Sequence, residues 1–127
     1  MSASKIGRLA AVVLSAALFL PHTPALAHTV NHDAFIFVEA ISEGFRGGLS
    51  SNAESCRFHR RVVLVKVLRT GEHRVVDRTM SNGEGYFRFY APRARGRFFV
   101  RAPWKRWNAD GHGHRCWATK SQTITRR

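Results

Sequence analysis

Acidic side chains are scarce in this sequence. Eight Asp and Glu stand against 21 Lys and Arg in 127 residues, a formal charge of +13. The few carboxylates are scattered, with Asp33, Asp77 and Asp110 on separate loops and strand ends, and there is no Gly-x-Ser-x-Gly elbow. The sequence thus has no paired acids and no strained serine turn, and hydrolase chemistry is not expected. Cysteine is limited to Cys56 and Cys116, without a C-x-x-C spacing, which is too few ligands for a metal-thiolate site. Lysine is limited to Lys5, Lys66, Lys105 and Lys120, so the positive charge is almost wholly arginine. No segment holds a helical period of useful length, and Gly83-x-Gly85 lies between strands rather than before a helix, so it is not a phosphate loop.

Long apolar runs are also missing, with one exception. Lys5 and Arg8 precede Leu9–Leu20, and Pro21 and Ala25-Leu26-Ala27 follow. A basic start, a short apolar stretch and a small-x-small site describe a secretory signal peptide over residues 1–27, and the run is too short to span a bilayer. Cleavage there leaves a single domain of one hundred residues, 28–127, with an expected location that is extracellular or periplasmic. Lys5 and Arg8 leave with the leader, so the formal charge falls from +13 to +11.

In an oxidising compartment the two remaining cysteines are expected to pair, closing a loop of 60 residues. Seven strands are read along the domain. They cover 34–41, 45–51, 60–69, 74–79, 86–91, 97–102 and 118–125. The run Val62–Leu68 is apolar except for Lys66 and predicts a central strand buried on both faces. Gly47-Gly48 suggests a bulge or close backbone approach. Asn82-Gly83 predicts a hairpin turn into the alternating Tyr86–Tyr90 stretch. Residues 28–33 are read as an extended lead-in, and 104–115 as a long irregular segment. The expected fold is an all-β, single Greek-key, immunoglobulin- or transthyretin-like antiparallel sandwich.

The order of landmarks supports a closer comparison. Phe45-x-Gly47, Cys56, Arg61-Val62-x-Leu64, Thr79-x-Ser81-Asn82-Gly83-x-Gly85-Tyr86-Phe87, Gly96-x-Phe98-x-Val100 and Cys116 followed by Ser121-x-Thr123-Ile124 resemble the transthyretin-like, or carboxypeptidase regulatory-like, modules. The likeness is greatest to small secreted bacterial versions with one cysteine pair. It implies a sandwich that serves as a non-catalytic accessory, adhesion or binding domain, and it carries over no catalytic residue. The Trp- and His-bearing segment 104–115 exceeds the short turn that the resemblance implies.

Two constellations carry chemical expectations. Arg88, Arg97 and Arg101 on strands, Arg93 and Arg95 on a turn, and the interleaved Tyr90, Phe99, Trp104 and Trp107 form a candidate platform for anionic polymers. Guanidinium groups bind phosphate or carboxylate bidentately, and aromatic faces stack on rings or cations. For an exported chain the expected partner is cell-wall polymer or an anionic glycan rather than genomic nucleic acid. The alternative is copper. His28 at a new N-terminus, with His32, Asp110, His112 and His114, resembles the histidine brace of copper carriers and copper oxygenases, in which an amine and imidazoles share one ion.

Overall fold

The computed structural model describes residues 28–127, so the leader expected over 1–27 lies outside the described residues. Strands follow in the order β1 (Thr29–His32), β2 (Phe35–Ile41), β3 (Gly44–Ser50), β4 (Arg61–Val67), β5 (His73–Met80), β6 (Tyr86–Tyr90), β7 (Gly96–Ala102), β8 (Lys105–Ala109), β9 (His112–Cys116), β10 (Thr119–Lys120) and β11 (Ile124–Arg126). One short 3₁₀ turn, Glu54–Cys56, precedes β4. The described residues are all-β.

Two sheets make the sandwich. One has the order β2-β3-β6; the other runs β10-β7-β4-β5, with β11 also on β7. Connections β3–β4, β5–β6 and β6–β7 pass between the sheets, in the Greek-key manner. Alternation along each strand sends Phe45 and Leu49 from β3 and Phe87 and Phe89 from β6 against Val62 and Leu64 from β4 and Phe98, Val100 and Ala102 from β7. The Phe45 and Phe98 rings meet with centroids 4.9 Å apart. As the apolar run predicts, β4 is buried on both faces, because Val63 and Val65 pack with Phe99 on the outer side. The close approach expected at the paired glycines is also present: a Cβ on Gly48 would lie 2.6 Å from the Phe37 ring.

Four expectations differ from the structure. Segment 104–115 is not irregular; β8 and β9 form an antiparallel hairpin closed by Asp110 (φ 53°) and Gly111 (φ 73°), the two positive-φ positions of a tight hairpin loop. The lead-in is a strand, because β1 adds to β9 in parallel, and β1-β9-β8 is a third sheet outside the sandwich. Asn82-Gly83 does not close a hairpin either. β5 pairs with β4 and β6 pairs with β3, so this turn is a corner between sheets. Asn82 holds it with its side chain, Oδ1 accepting from the amides of Glu84 (2.9 Å) and Tyr86 (3.0 Å), and the positive φ falls on Gly85. The last strand is split, which with the third sheet raises seven expected strands to eleven. Buried Ser121 interrupts it, its Oγ accepting from the Val100 amide at 2.9 Å in place of a ladder carbonyl.

The third sheet is fastened to the sandwich in two ways. Cys56 and Cys116 form the expected disulfide, with Cα atoms 5.6 Å apart. Beside it lies Arg60, 1% exposed, whose guanidinium donates to the carbonyls of Cys56 (3.3 Å), Pro103 (3.0 Å) and Trp117 (2.6 Å). Burial pushes this guanidinium below the usual arginine pKa. Removing the disulfide with Cys56→Ala/Cys116→Ala is expected to cost about 4 kcal/mol, on the chain-entropy scale for a loop of 60 residues. Replacing Arg60 by Met strands three carbonyls, that of buried Cys56 among them, and is expected to cost at least about 3 kcal/mol. Urea unfolding of each variant measures both, and a loss below 1 kcal/mol for Arg60→Met contradicts the role given to that side chain.

Candidate functional site

The nine residues expected to form one polyanion platform are distributed over all three sheets. Arg88 and Tyr90 lie on β6, on the outer face of the three-stranded sheet. Arg97, Phe99 and Arg101 lie on the outer face of the other sheet, opposite Val67, Val65 and Val63 respectively. Trp104 immediately precedes β8 and Trp107 lies on it. Arg93 and Arg95 occupy the β6–β7 turn. Phe99 faces outward as the alternation predicts, yet it is only 7% exposed. It covers the outward valines of the central strand, and the His73 ring meets it edge-on at 5.0 Å. Trp104 is exposed, with the Arg106 guanidinium 4.8 Å from its ring, whereas Trp107 is half-buried against the disulfide cluster.

Charge is distributed unevenly. Among the described residues there are two ion pairs, Arg46–Glu39 and Arg88–Glu43, and both sit on the three-stranded sheet. Their face also exposes Phe35, Phe37, Tyr86 and Tyr90, and a cleft of about 530 Å³ runs between Phe37, Met80 and Tyr86. This aromatic surface has much of its charge cancelled internally.

The opposite situation holds at the end of the sandwich, where the β4–β5 and β6–β7 turns meet. Lys66, Arg69, Arg95 and Arg97 line a cleft of about 670 Å³ together with Val67, Leu68 and Gly96, and no carboxylate lines it. Lys66 is the one charge within the apolar run of β4. Its register partner is Phe98, and its ammonium lies 5.7 Å from that ring while its chain passes over Gly96. Arg95 is braced by donating from Nη1 to the carbonyls of Pro92 (3.1 Å) and Ala94 (2.9 Å). The turn it stands on is itself held by Arg126, 8% exposed, which donates to the carbonyls of Ile41, Ser42, Pro92 and Ala94. Four cations therefore converge on a buttressed loop pair. Two of them, Arg95 and Arg97, belong to the expected platform. Lys66 and Arg69 do not, although a lone charge interrupting a buried strand is a sequence signal that marks Lys66.

No family model matches the chain, and no curated protein or solved structure is significantly similar to it. The geometry alone therefore carries what can be said of its chemistry.

Of the five residues expected to hold copper, the structure joins two. His32 on β1 and His114 on β9 meet at 3.0 Å between Nε2 and Nδ1. His28 is exposed just before β1, His112 is exposed on β9, and Asp110 sits in the hairpin loop. Among the described residues, no three His, Cys, Asp or Glu side chains converge on a common point.

The division between Phe99 and the cations is testable. Phe99→Ala removes a buried ring from the outer cluster and is expected to lower stability by about 3 kcal/mol, whereas Arg97→Ser, at an exposed neighbouring position, is expected to change it by less than about 0.5 kcal/mol. Thermal and urea unfolding of the two variants distinguishes these outcomes.

Proposed function

We propose that this chain is an exported, non-catalytic binding module of transthyretin-like type that holds anionic polymers of the cell envelope, cell-wall polymers or acidic glycans. The observation that carries the reading is the cleft lined by Lys66, Arg69, Arg95 and Arg97 without a carboxylate. Four cations brought together without counter-charge repel one another, and a bound polyanion relieves that repulsion. Arg supplies bidentate contacts to phosphate or carboxylate, and Lys adds a point charge. Arg101, four residues along β7 on the same face as Arg97, extends the positive surface toward Lys120, its register partner on β10. A chain-like ligand can therefore run from the end cleft along the outer face of the five-stranded sheet.

The landmarks that resemble transthyretin-like modules, the sandwich and the disulfide support the fold assignment. The disulfide also favours an oxidising compartment, and among the described residues no helix is long and apolar enough to cross a membrane. The scattered carboxylates favour binding over hydrolysis.

Inorganic polyphosphate and a polyuronate serve as probes. Raising salt from 50 to 200 mM is expected to weaken binding on the order of 10²-fold if four contacts release counterions. Arg69→Ser/Arg97→Ser is expected to weaken it at least tenfold, while Arg106→Ser on β8 leaves it unchanged. Fluorescence anisotropy with labelled polymer reads all three, and binding that ignores both salt and the double substitution removes the proposal.

A further inference from the structure

Strand β2 alternates, but its outward positions are not the polar ones that water favours. Ile36 and Val38 pack against the core, so Phe35, Phe37 and Glu39 stand on the outer face. Register shows what they are grouped with. Phe37 lies opposite Gly48 and Gly48 opposite Tyr86; two residues further along β2, Glu39 lies opposite Arg46 and Arg46 opposite Arg88. The outer face of the three-stranded sheet thus carries an aromatic row beside a charged row.

Gly48 gives the aromatic row its shape. A Cβ there would fall 2.6 Å from Phe37 Cζ and 3.1 Å from Tyr86 Cδ1, so the two rings lean in over the glycine from either side. Phe37 and Tyr86 are nevertheless 55% and 53% exposed. The result is a ledge of open rings two strand spacings wide, about 9.6 Å. The charged row stands about 7 Å along the strands from it. There Arg46 pairs with Glu39, and the Arg88 guanidinium lies 3.6 Å from Glu43. The cleft of about 530 Å³ takes in residues of both rows, with Met80 and Asn82 also lining it. That is a usual size for a site that holds a small molecule or one segment of a chain.

We infer that this face binds an uncharged, β-linked glycan. The flat side of a pyranose is a patch of C–H groups with slight positive charge, which the negative face of an aromatic ring attracts. Its edge is a set of hydroxyls, each both donor and acceptor. Arg46 and Arg88 supply donors and Glu39 and Glu43 supply acceptors, so one row meets both needs of a hydroxyl. A chain of β-linked rings is extended and lies along an open sheet face. Charge disfavours the other occupants. A polyanion or an anionic membrane would meet Glu39 and Glu43 here, while the cleft of Lys66, Arg69, Arg95 and Arg97 offers it cations alone. A second copy of the chain brings the same large positive charge against the first. The two clefts share no residue, so this inference stands or falls apart from the polyanion reading.

Cellohexaose and N-acetylchitohexaose, titrated calorimetrically into the full chain at 50 and 200 mM salt, test this. At least one is expected to bind, with an affinity that changes less than twofold between the two salts, because no counterions are released. Phe37→Ala and Tyr86→Ala are each expected to weaken sugar binding at least fivefold, and Arg46→Met/Arg88→Met likewise, while Arg97→Ser leaves it unchanged. If a ring variant fails to fold, saturation-transfer NMR on the unaltered protein decides, with transfer from aromatic protons expected on the ring C–H protons of the sugar. Failure of both sugars to bind, absence of that transfer, or full affinity in both folded ring variants overturns the inference. So does dimerisation without sugar that Phe37→Ala abolishes, since the face then belongs to a second copy.

Discussion

A single guanidinium holds three separate parts of this molecule in register. Arg60 draws together the carbonyl ending the 3₁₀ turn, the carbonyl of Pro103 where the chain leaves β7, and the carbonyl of Trp117 just after β9. Each of these segments is irregular, so its backbone needs partners that no strand supplies. A buried arginine without a carboxylate is costly, and three oriented carbonyl dipoles offset that cost only when all three segments are in place. The arrangement is therefore cooperative. The corner after β5 locks onto the same point, since Ser81 Oγ accepts from the Arg60 amide at 2.9 Å and donates to the Arg57 carbonyl at 2.5 Å.

Arg126 repeats this device at the opposite end of the sandwich, where it gathers the β2–β3 and β6–β7 turns. An acid-poor sequence cannot neutralise its cations with carboxylates. It buries two of them against backbone carbonyls instead, and those two are structural rather than available to a ligand. The remaining cations divide again: Arg46 and Arg88 pair with glutamates, while Lys66, Arg69, Arg95 and Arg97 converge without a counter-charge. Charge composition alone does not separate these uses. Burial and partners do.

The sandwich strands were legible because each carries its own local signal, either a β-branched run as in β4 or strict alternation as in β6. The third sheet was less so. Asp110-Gly111 is as strong a turn signal as Asn82-Gly83, but the glycine and histidine content of 108–114 lowers the apparent strand propensity on either side of it. β1 has no local signal, because what makes it a strand is the free edge of β9. The Asn82-Gly83 turn was recognised as a turn, but which sheet receives the next strand depends on β3, far away in the sequence. The disulfide was legible from export and parity. The platform was not, since a list of outward arginines and aromatics does not state which sheet each belongs to.

The parallel pairing of β1 with β9 has a consequence for how the molecule assembles. His32 and His114, now in contact, are separated by 82 positions along the chain. A chain emerging from its N-terminal end presents β1 long before its strand partner β9 exists, and closing so long a loop is slow. The sandwich can condense first on nearer contacts, with β1 left as a loose arm. The third sheet is then completed only once the chain has been made through β9 and the Cys56–Cys116 bond can hold that strand in position.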